Sequence, residues 1–315
     1  MRILVTGCAG FIGSHLCDRL LKLGYRIIGI DNFNDYYDPK IKEENLDKAF
    51  KSNKFKLYRI DILDFDKVSR IFKKEKPEKI IHLAARAGVR PSIASPKLYT
   101  QVNVLGIVNL LKLAVDFNVK QFIFGSSSSV YGQSKRLPFT ENDPCKDIIS
   151  PYGSSKRAAE FFIESFCKSY QLKSTILRFF TVYGPRGRPD MAPALFAKAV
   201  LSGKSINQFG DGLSSRDYTY IDDIIDGIIR ILGKNFTFEI INLGNNHPVK
   251  LTEFITILEK IIGKKAKVKK LPMQTGDVEI TWANVVKAKE LLDWRPKTKL
   301  EKGLAQYVEW LTKLD

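Results

Sequence analysis

Thr6-Gly7-Cys8-Ala9-Gly10-Phe11-Ile12-Gly13 follows the apolar run Ile3–Val5 and opens into a helical pattern over Phe11–Leu23. A glycine triplet alone is a weak signal. Between a strand and a helix it lets the backbone turn tightly and approach a pyrophosphate closely. The helix start adds unpaired N–H groups and the positive end of a dipole, which suit an anion. Gly7, Gly10 and Gly13, with Phe11 and Ile12 between them, are therefore candidate dinucleotide contacts. The next strand, Arg26–Asp31, ends on an acid. A carboxylate there can bind both hydroxyls of an adenosine ribose and repel a 2′-phosphate, so Asp31 favours NAD over NADP.

Outward from this turn, short apolar runs alternate with helical patterns. Strands are expected at Arg2–Thr6, Phe55–Arg59, Lys79–Leu83, Gln121–Ser126 and Ser174–Phe179. Helices are expected at Asp64–Lys74, Tyr99–Phe117 and Tyr152–Tyr170. Strands alternating with helices imply an α/β protein with a doubly wound parallel sheet, the Rossmann arrangement. Past Gly184 the pattern loosens, with Pro and Gly punctuating Gly184–Pro193. That reads as a smaller C-terminal α/β lobe without a clean linker. The division expected is an NAD-binding domain over 1–183 and a mainly substrate-binding lobe over 184–315, the chain being free to cross back between them.

The 315 residues, 44% hydrophobic, suffice for a substantial core. No run approaches the roughly 20 apolar residues that span a bilayer. The glycine-rich start is not a signal peptide, which points to the cytoplasm and away from a membrane. Cys8, Cys17, Cys145 and Cys167 lack metal-type spacing and read as reduced structural thiols. His15, His82 and His247 form no zinc-binding pair, so no metal is expected. The net charge of +17 could mark a nucleic-acid partner. The lysines are dispersed and no aromatic-interleaved basic motif exists, so a solvated surface is the preferred reading. Such a field also draws anionic substrates.

Several residues gather where strands end. Asp61-Ile62 falls where an adenine edge would lie, although Asp61 could instead cap the helix that follows. Leu83-Ala84-Ala85 leaves room for a cofactor, while His82 reads as a packed strand histidine. Tyr152-Gly153-Ser154-Ser155-Lys156 opens a long helix, and Tyr-x-x-x-Lys places both side chains on one face. Tyrosine, with a pKa of about 10, is a poor base at neutral pH. A lysine cation nearby, with the positive charge of NAD⁺, would favour the phenolate. The run Ser126–Ser129 ends the preceding strand, where a hydroxyl can enter the same cleft.

With these residues in order, the chain resembles the extended short-chain dehydrogenase/reductase superfamily, specifically its NAD-dependent nucleotide-sugar epimerases and dehydratases. The motifs carrying the resemblance are TGCAGFIGSHL, DNFN, HLAARAGVR, NVLGIVNLL, SSSSVYG, PYGSSK, RFFTVYGPRGRP, RDYTYIDD and GDVEITWANVVKAKELLDW. The resemblance implies Ser127, Tyr152 and Lys156 as the catalytic set, with Ser128 the alternative serine. It implies Gly7, Gly10, Gly13, Asp31, Asn32, Asp61, Ile62, Lys156 and the Tyr183 backbone around NAD. It places Asn103 in a helix supporting the site, and Arg216 on the substrate diphosphate with Asp277 near the nucleoside. Arg90 either touches the sugar or braces its loop.

Dehydratases of this group carry an acidic pair beside the catalytic serine or threonine; here the neighbours are Ser126, Ser128 and Ser129. That leaves epimerisation or decarboxylation. Asn34–Pro39 and Thr181–Met191 resemble the UDP-glucuronate 4-epimerase branch. UDP-galactose 4-epimerases usually have Asn in place of Thr181 and Arg in place of Gln274. A Thr181 hydroxyl could bond a carboxylate and Arg188 could pair with it; otherwise Arg188 is an unattached surface arginine. The implied reaction removes hydride from C4 of a UDP-sugar, rotates the 4-keto sugar and returns the hydride to its other face. UDP-glucose/UDP-galactose 4-epimerase is the alternative, then UDP-glucuronate decarboxylase. The family also implies a homodimer through two long helices, with Leu110, Leu113, Phe161 and Phe162 at the interface or in the core.

Overall fold

The computed structural model describes residues 1–274 and 276–313. Among the described residues twelve strands run in chain order. They are β1 (Arg2–Thr6), β2 (Arg26–Asp31), β3 (Phe55–Arg59), β4 (Lys79–His82), β5 (Gln121–Ser127), β6 (Ser174–Phe179), β7 (Thr181–Tyr183), β8 (Ser205–Phe209), β9 (Ser215–Tyr220), β10 (Phe238–Leu243), β11 (Pro248–Lys250) and β12 (Lys267–Leu271). The main sheet has seven strands in the order β10-β6-β5-β4-β1-β2-β3. Every pairing within it is parallel. Its central strands are buried almost throughout, which is why they read as continuous apolar runs.

After β1 the chain builds outward through β2 and β3, then β4 returns to the other side of β1. Helices starting beyond β1 and β4 diverge at that reversal and leave a crevice at the strands' C-terminal ends. Thr6, Asp31, His82 and Ser127 terminate four strands at this end of the sheet.

The strands cross back over the boundary at 183. β10, from the second half of the chain, joins the main sheet beside β6, pairing Phe238 with Ser174 through Leu243 with Phe179. Conversely β7, from the first half, pairs with β9 in a three-stranded sheet completed by β11, and β8 pairs with β12. One apolar cluster contains Ile3 and Val5 together with Phe254 and Leu311. Completing the sheet and burying a common core outweigh sequence order.

The helix Pro96–Asp116 also departs from expectation. Its 21 residues are long and apolar enough, by length and composition alone, to cross a bilayer. Here Ile107, Leu110, Leu111 and Leu113 of this helix are buried in a protein core instead. Leu110 and Leu113 are thus core residues, whereas Phe161 and Phe162, 54% and 40% exposed, stand on the surface of the helix Pro151–Tyr170. A π-helical turn over Gln101–Leu105 interrupts Pro96–Asp116, and such turns often mark functional sites.

Beneath the crevice lies a buried ionic knot. Arg178 of β6 is fully buried and meets Glu160 through Nε to Oε1 at 3.0 Å and Nη2 to Oε2 at 2.8 Å. Glu160 also accepts the Ser126 hydroxyl at 2.6 Å and Arg157 Nη1 at 2.9 Å. The Arg178 guanidinium rests over the Tyr131 ring, 4.9 Å from its centroid. All four cysteines are free and buried. His82 is the packed strand histidine expected: Nδ1 lies 2.6 Å from Thr6 Oγ1, and the ring stacks on Phe124. Burial first, then the Lys156 charge, drives its pKa down to about 3.

Candidate active site

The glycine turn forms a cradle that side chains cannot enter. Gly7 has φ +68, and a Cβ there would lie 2.7 Å from the Ala84 nitrogen. A Cβ on Gly13 would overlap the Gly7 carbonyl. Both positions require glycine. The first helical hydrogen bond runs from Ser14 N to Gly10 O at 2.9 Å, so the N–H groups of Phe11, Ile12 and Gly13 stand at the helix start, where intrahelical acceptors are lacking. The cradle therefore fits a dinucleotide pyrophosphate.

Asp31 serves the cradle directly. Its Oδ2 accepts Ala9 N–H at 3.1 Å and its Oδ1 accepts Phe33 N–H at 2.9 Å. Burial raises its pKa, while the Phe33 N–H, the Lys42 charge and the Ala9 N–H oppose that rise. Asn32 Nδ2 donates to Asp61 Oδ2 at 2.7 Å, joining the ends of β2 and β3. Asp64, not Asp61, caps the helix Phe65–Glu75 by accepting Lys67 N–H. Asp31, Asn32, Asp61 and the buried Ile62 thus gather at one rim of the crevice. On the other side, Leu83 N bonds Thr6 O at 3.1 Å, and Ala84-Ala85 pass the glycine turn with small side chains.

The catalytic candidates come together beyond this cradle. Ser150 caps the helix Pro151–Tyr170 by accepting Gly153 N–H at 3.1 Å, and Pro151 opens its first turn. Tyr152 is fixed from behind by its N–H to Ser92 Oγ, 3.0 Å. Burial raises the Tyr152 pKa; the Ser127 hydroxyl and the Arg188 guanidinium beside it pull the other way. Ser127 is therefore the serine of the run that faces Tyr152. Ser126 is committed to Glu160.

Lys156 is buried in the same helix, one turn after Tyr152. Its Nζ donates to Gly125 O at 2.7 Å and lies over the Phe124 ring. Burial, opposed by Glu160, lowers its pKa to about 7. Arg188 adds a second cation that favours the Tyr152 phenolate. The sequence alone hid this, because the two lie far apart along the chain.

Nor is Arg188 an unattached surface arginine. Its side chain is only 18% exposed. Nε and Nη2 grip Asp190 Oδ1 and Oδ2 at 3.0 and 2.6 Å, and Nη2 also reaches Tyr36 OH at 3.2 Å. Tyr36 OH donates to Asp190 Oδ2 at 3.0 Å, closing the triangle. Nη1 meets no acceptor among the described residues. Tyr36 and Asp190 lie within motifs visible in the sequence, but nothing there revealed that they hold Arg188. The loop carrying it is pinned to the helix Phe11–Lys22 by His15 Nε2 on Pro185 O at 2.9 Å and by Arg186 with Asp18 at 2.9 Å. Thr181 starts β7, opposite Tyr218 of β9.

A third group lies at the far end. Arg90 pairs with Asp277 at 2.9 Å, its guanidinium 4.6 Å from the Phe209 ring centroid. Arg90 thus braces Asp277 rather than standing alone. Arg216 Nη1 donates to Ser215 O at 3.0 Å and has no carboxylate partner among the described residues. The Gln274 Oε1 atom is buried without a partner among the described residues. An aromatic ring, an acid and a guanidinium without a carboxylate suit a nucleoside diphosphate. Phe209 was not singled out in the sequence, since an aromatic in an edge strand has no signature of its own.

The family described as GDP-mannose 4,6 dehydratase matches residues 4–307. The UDP-glucuronate 4-epimerase of Thermodesulfobacterium geofontis is 46% identical over 309 residues, which cover 98% of this chain and 95% of that protein. The UDP-glucuronic acid 4-epimerase of Bacillus cereus, solved with UDP-glucuronic acid and NAD, superposes with a TM-score of 0.94 at 37% identity, covering all of both chains. The UDP-glucose 4-epimerase of Thermotoga maritima, solved with UDP-glucose, gives a TM-score of 0.91 at 36% identity over 100% of this chain and 99% of that one.

Proposed function

The chain belongs to the GDP-mannose 4,6 dehydratase family, and from that premise we propose that it is an NAD-dependent 4-epimerase converting UDP-glucuronate to UDP-galacturonate. One observation carries the choice of an acidic sugar: Arg188, whose charge favours the Tyr152 phenolate, is held by Asp190 and Tyr36 with Nη1 left to donate. A substrate carboxylate gives that donor a charged acceptor, whereas a neutral hexose offers it only hydroxyls.

NAD, when bound, supplies a reversible hydride acceptor for C4 of the sugar. The cradle of Gly7, Gly10 and Gly13 would hold its pyrophosphate, with Asp31, Asn32, Asp61 and Ile62 toward the adenosine and Leu83, Ala84, Ala85 and Lys156 toward the nicotinamide. Tyr152 takes the proton from the 4-hydroxyl and Ser127 holds that oxygen. Arg188 lowers the cost of the phenolate and Lys156 fixes the strand end beneath it. Arg216 would grip the substrate diphosphate, and Asp277, braced by Arg90, the nucleoside. The 4-keto sugar is a β-keto acid, which loses CO₂ when the breaking bond aligns with the carbonyl. Arg188 and Thr181 hold the carboxylate out of that alignment.

Product analysis by NMR tests this, with UDP-glucuronate and UDP-glucose supplied separately and no cofactor added. UDP-galacturonate from the first is the expected result; turnover of UDP-glucose alone would move the reading to the neutral-sugar epimerase. Thr181→Val should raise the share of decarboxylated 4-keto pentose among the products. An unchanged partition would remove Thr181 from the carboxylate site.

The exposed Phe161 and Phe162, with Leu105 at 52% exposure on the neighbouring helix, support a homodimer built on these two helices. Four free thiols are at home in the reducing cytoplasm.

A further inference from the structure

An acidic sugar places conflicting demands on an epimerase. The carboxylate is carried by C5, beside the reacting C4, so it sweeps through the cleft when the 4-keto sugar turns over. Whatever grips it before the turn must let go. A guanidinium that meets a carboxylate along one edge, through two parallel N–H···O bonds, makes one of the strongest polar contacts in proteins. Such a clamp would bind the substrate well and halt the turn.

The surroundings of Arg188 close both edges of its guanidinium. Asp190 fills the Nε/Nη2 edge, accepting Nε on Oδ1 at 3.0 Å and Nη2 on Oδ2 at 2.6 Å. Tyr36 OH closes the Nη1/Nη2 edge by accepting from Nη2 at 3.2 Å, and it donates its own proton to Asp190 Oδ2 at 3.0 Å. Both hydrogens of Nη2 are thus committed, and Nη1 remains as a single-point donor. Asp190 also cancels the Arg188 charge: burial disfavours the carboxylate, but Arg188 and the Tyr36 hydroxyl outweigh it and hold the pKa below its usual range. The network is braced from several sides. Pro189 alone separates the two charged residues. The Tyr36 ring lies under the guanidinium, 5.2 Å from centroid to Cζ, and Tyr36 N–H is tied to Asn34 Oδ1 at 3.2 Å. The loop after β4 passes so close that a Cβ on Gly88, φ +100, would stand 2.8 Å from the Tyr36 oxygen.

We infer that Asp190, with Tyr36, is a positioning residue that restrains Arg188 to a one-point, charge-compensated hold on the substrate carboxylate, loose enough for the 4-keto sugar to turn. The inference rests on the acidic-sugar reading above. It sets Asp190 apart from a simple anchor: an anchor strengthens the grip of the arginine it holds, whereas Asp190 weakens it.

The test is kcat and KM for UDP-glucuronate, with the Ki of UDP-glucose as competing ligand, for wild type, Asp190→Asn and Tyr36→Phe. Asp190→Asn keeps the shape and removes the charge. Its KM for UDP-glucuronate should fall about 10-fold, the size of one strengthened charge-assisted contact. Its kcat should fall by at least as much, while the Ki of UDP-glucose, which has no carboxylate, stays unchanged. Tyr36→Phe opens the second edge but leaves the Asp190 charge, so it should move both constants the same way by less; it also serves should Asp190→Asn fail to fold. A raised KM or a larger share of decarboxylated 4-keto pentose would mean that Asp190 only holds Arg188 in place. An equal shift in the UDP-glucose Ki would mean a general disturbance of the cleft. Either result, or unchanged constants in both variants, overturns the inference. Wild type that turns over UDP-glucose and not UDP-glucuronate would instead overturn the acidic-sugar reading itself.

Discussion

Tyr152→Phe should lower kcat by about 10³-fold or more while NAD stays bound and UDP-glucuronate still binds. The substitution removes one oxygen and leaves the ring against Tyr99, 6.2 Å away edge to face. Packing is thus preserved and the loss is chemical. General acid–base groups contribute typically 10² to 10⁴-fold, and the same hydroxyl acts in both halves of an epimerisation. Burial works against ionising Tyr152, and Ser127 and Arg188 only partly offset it. In wild type the rate should therefore climb as pH rises and Tyr152 loses its proton, and this acid limb should vanish from the residual activity of the variant. A kcat within tenfold of wild type would mean that another group takes the proton.

Glu160→Ala should destabilise the fold severely, by about 3–5 kcal/mol, seen as a melting temperature lower by about 10 °C. Glu160 is buried and is the sole carboxylate on the fully buried Arg178 among the described residues. Removing it leaves that charge uncompensated and frees the Ser126 hydroxyl next to Ser127. Replacing both partners with apolar side chains should recover much of the loss, since no buried charge then remains. If the double replacement is no better than Glu160→Ala, the damage comes from packing and not from charge.

What the sequence revealed and what it hid follow from range. The turn Gly7–Gly13, the acid ending β2 and the Tyr152/Lys156 spacing are local patterns, each fixed by backbone geometry within one strand or helix. They could be read directly, as could most strand limits in the first half. The partnership of Arg188 with Tyr36 joins residues 152 positions apart, and the Arg90–Asp277 pair spans 187. Such contacts depend on how the sheets pack, which composition and periodicity do not encode. The reach of Lys156 to Gly125 O was hidden for a different reason. Helical spacing shows which face a side chain leaves from, not which acceptor its flexible tip finds.

β10 bears on how the molecule comes off the ribosome. Until residue 243 has emerged, the outer edge of β6 is a bare row of peptide groups on a strand whose six residues are all buried in the finished protein. An uncovered edge of that kind readily recruits a strand from another chain. A nascent chain that already carries the whole glycine turn and the Tyr152 helix is still adhesive. Synthesis halted at the end of β7 would release a sticky fragment, not a small NAD-binding protein, and the late arrival of β10 makes closing the sheet one of the last acts of folding.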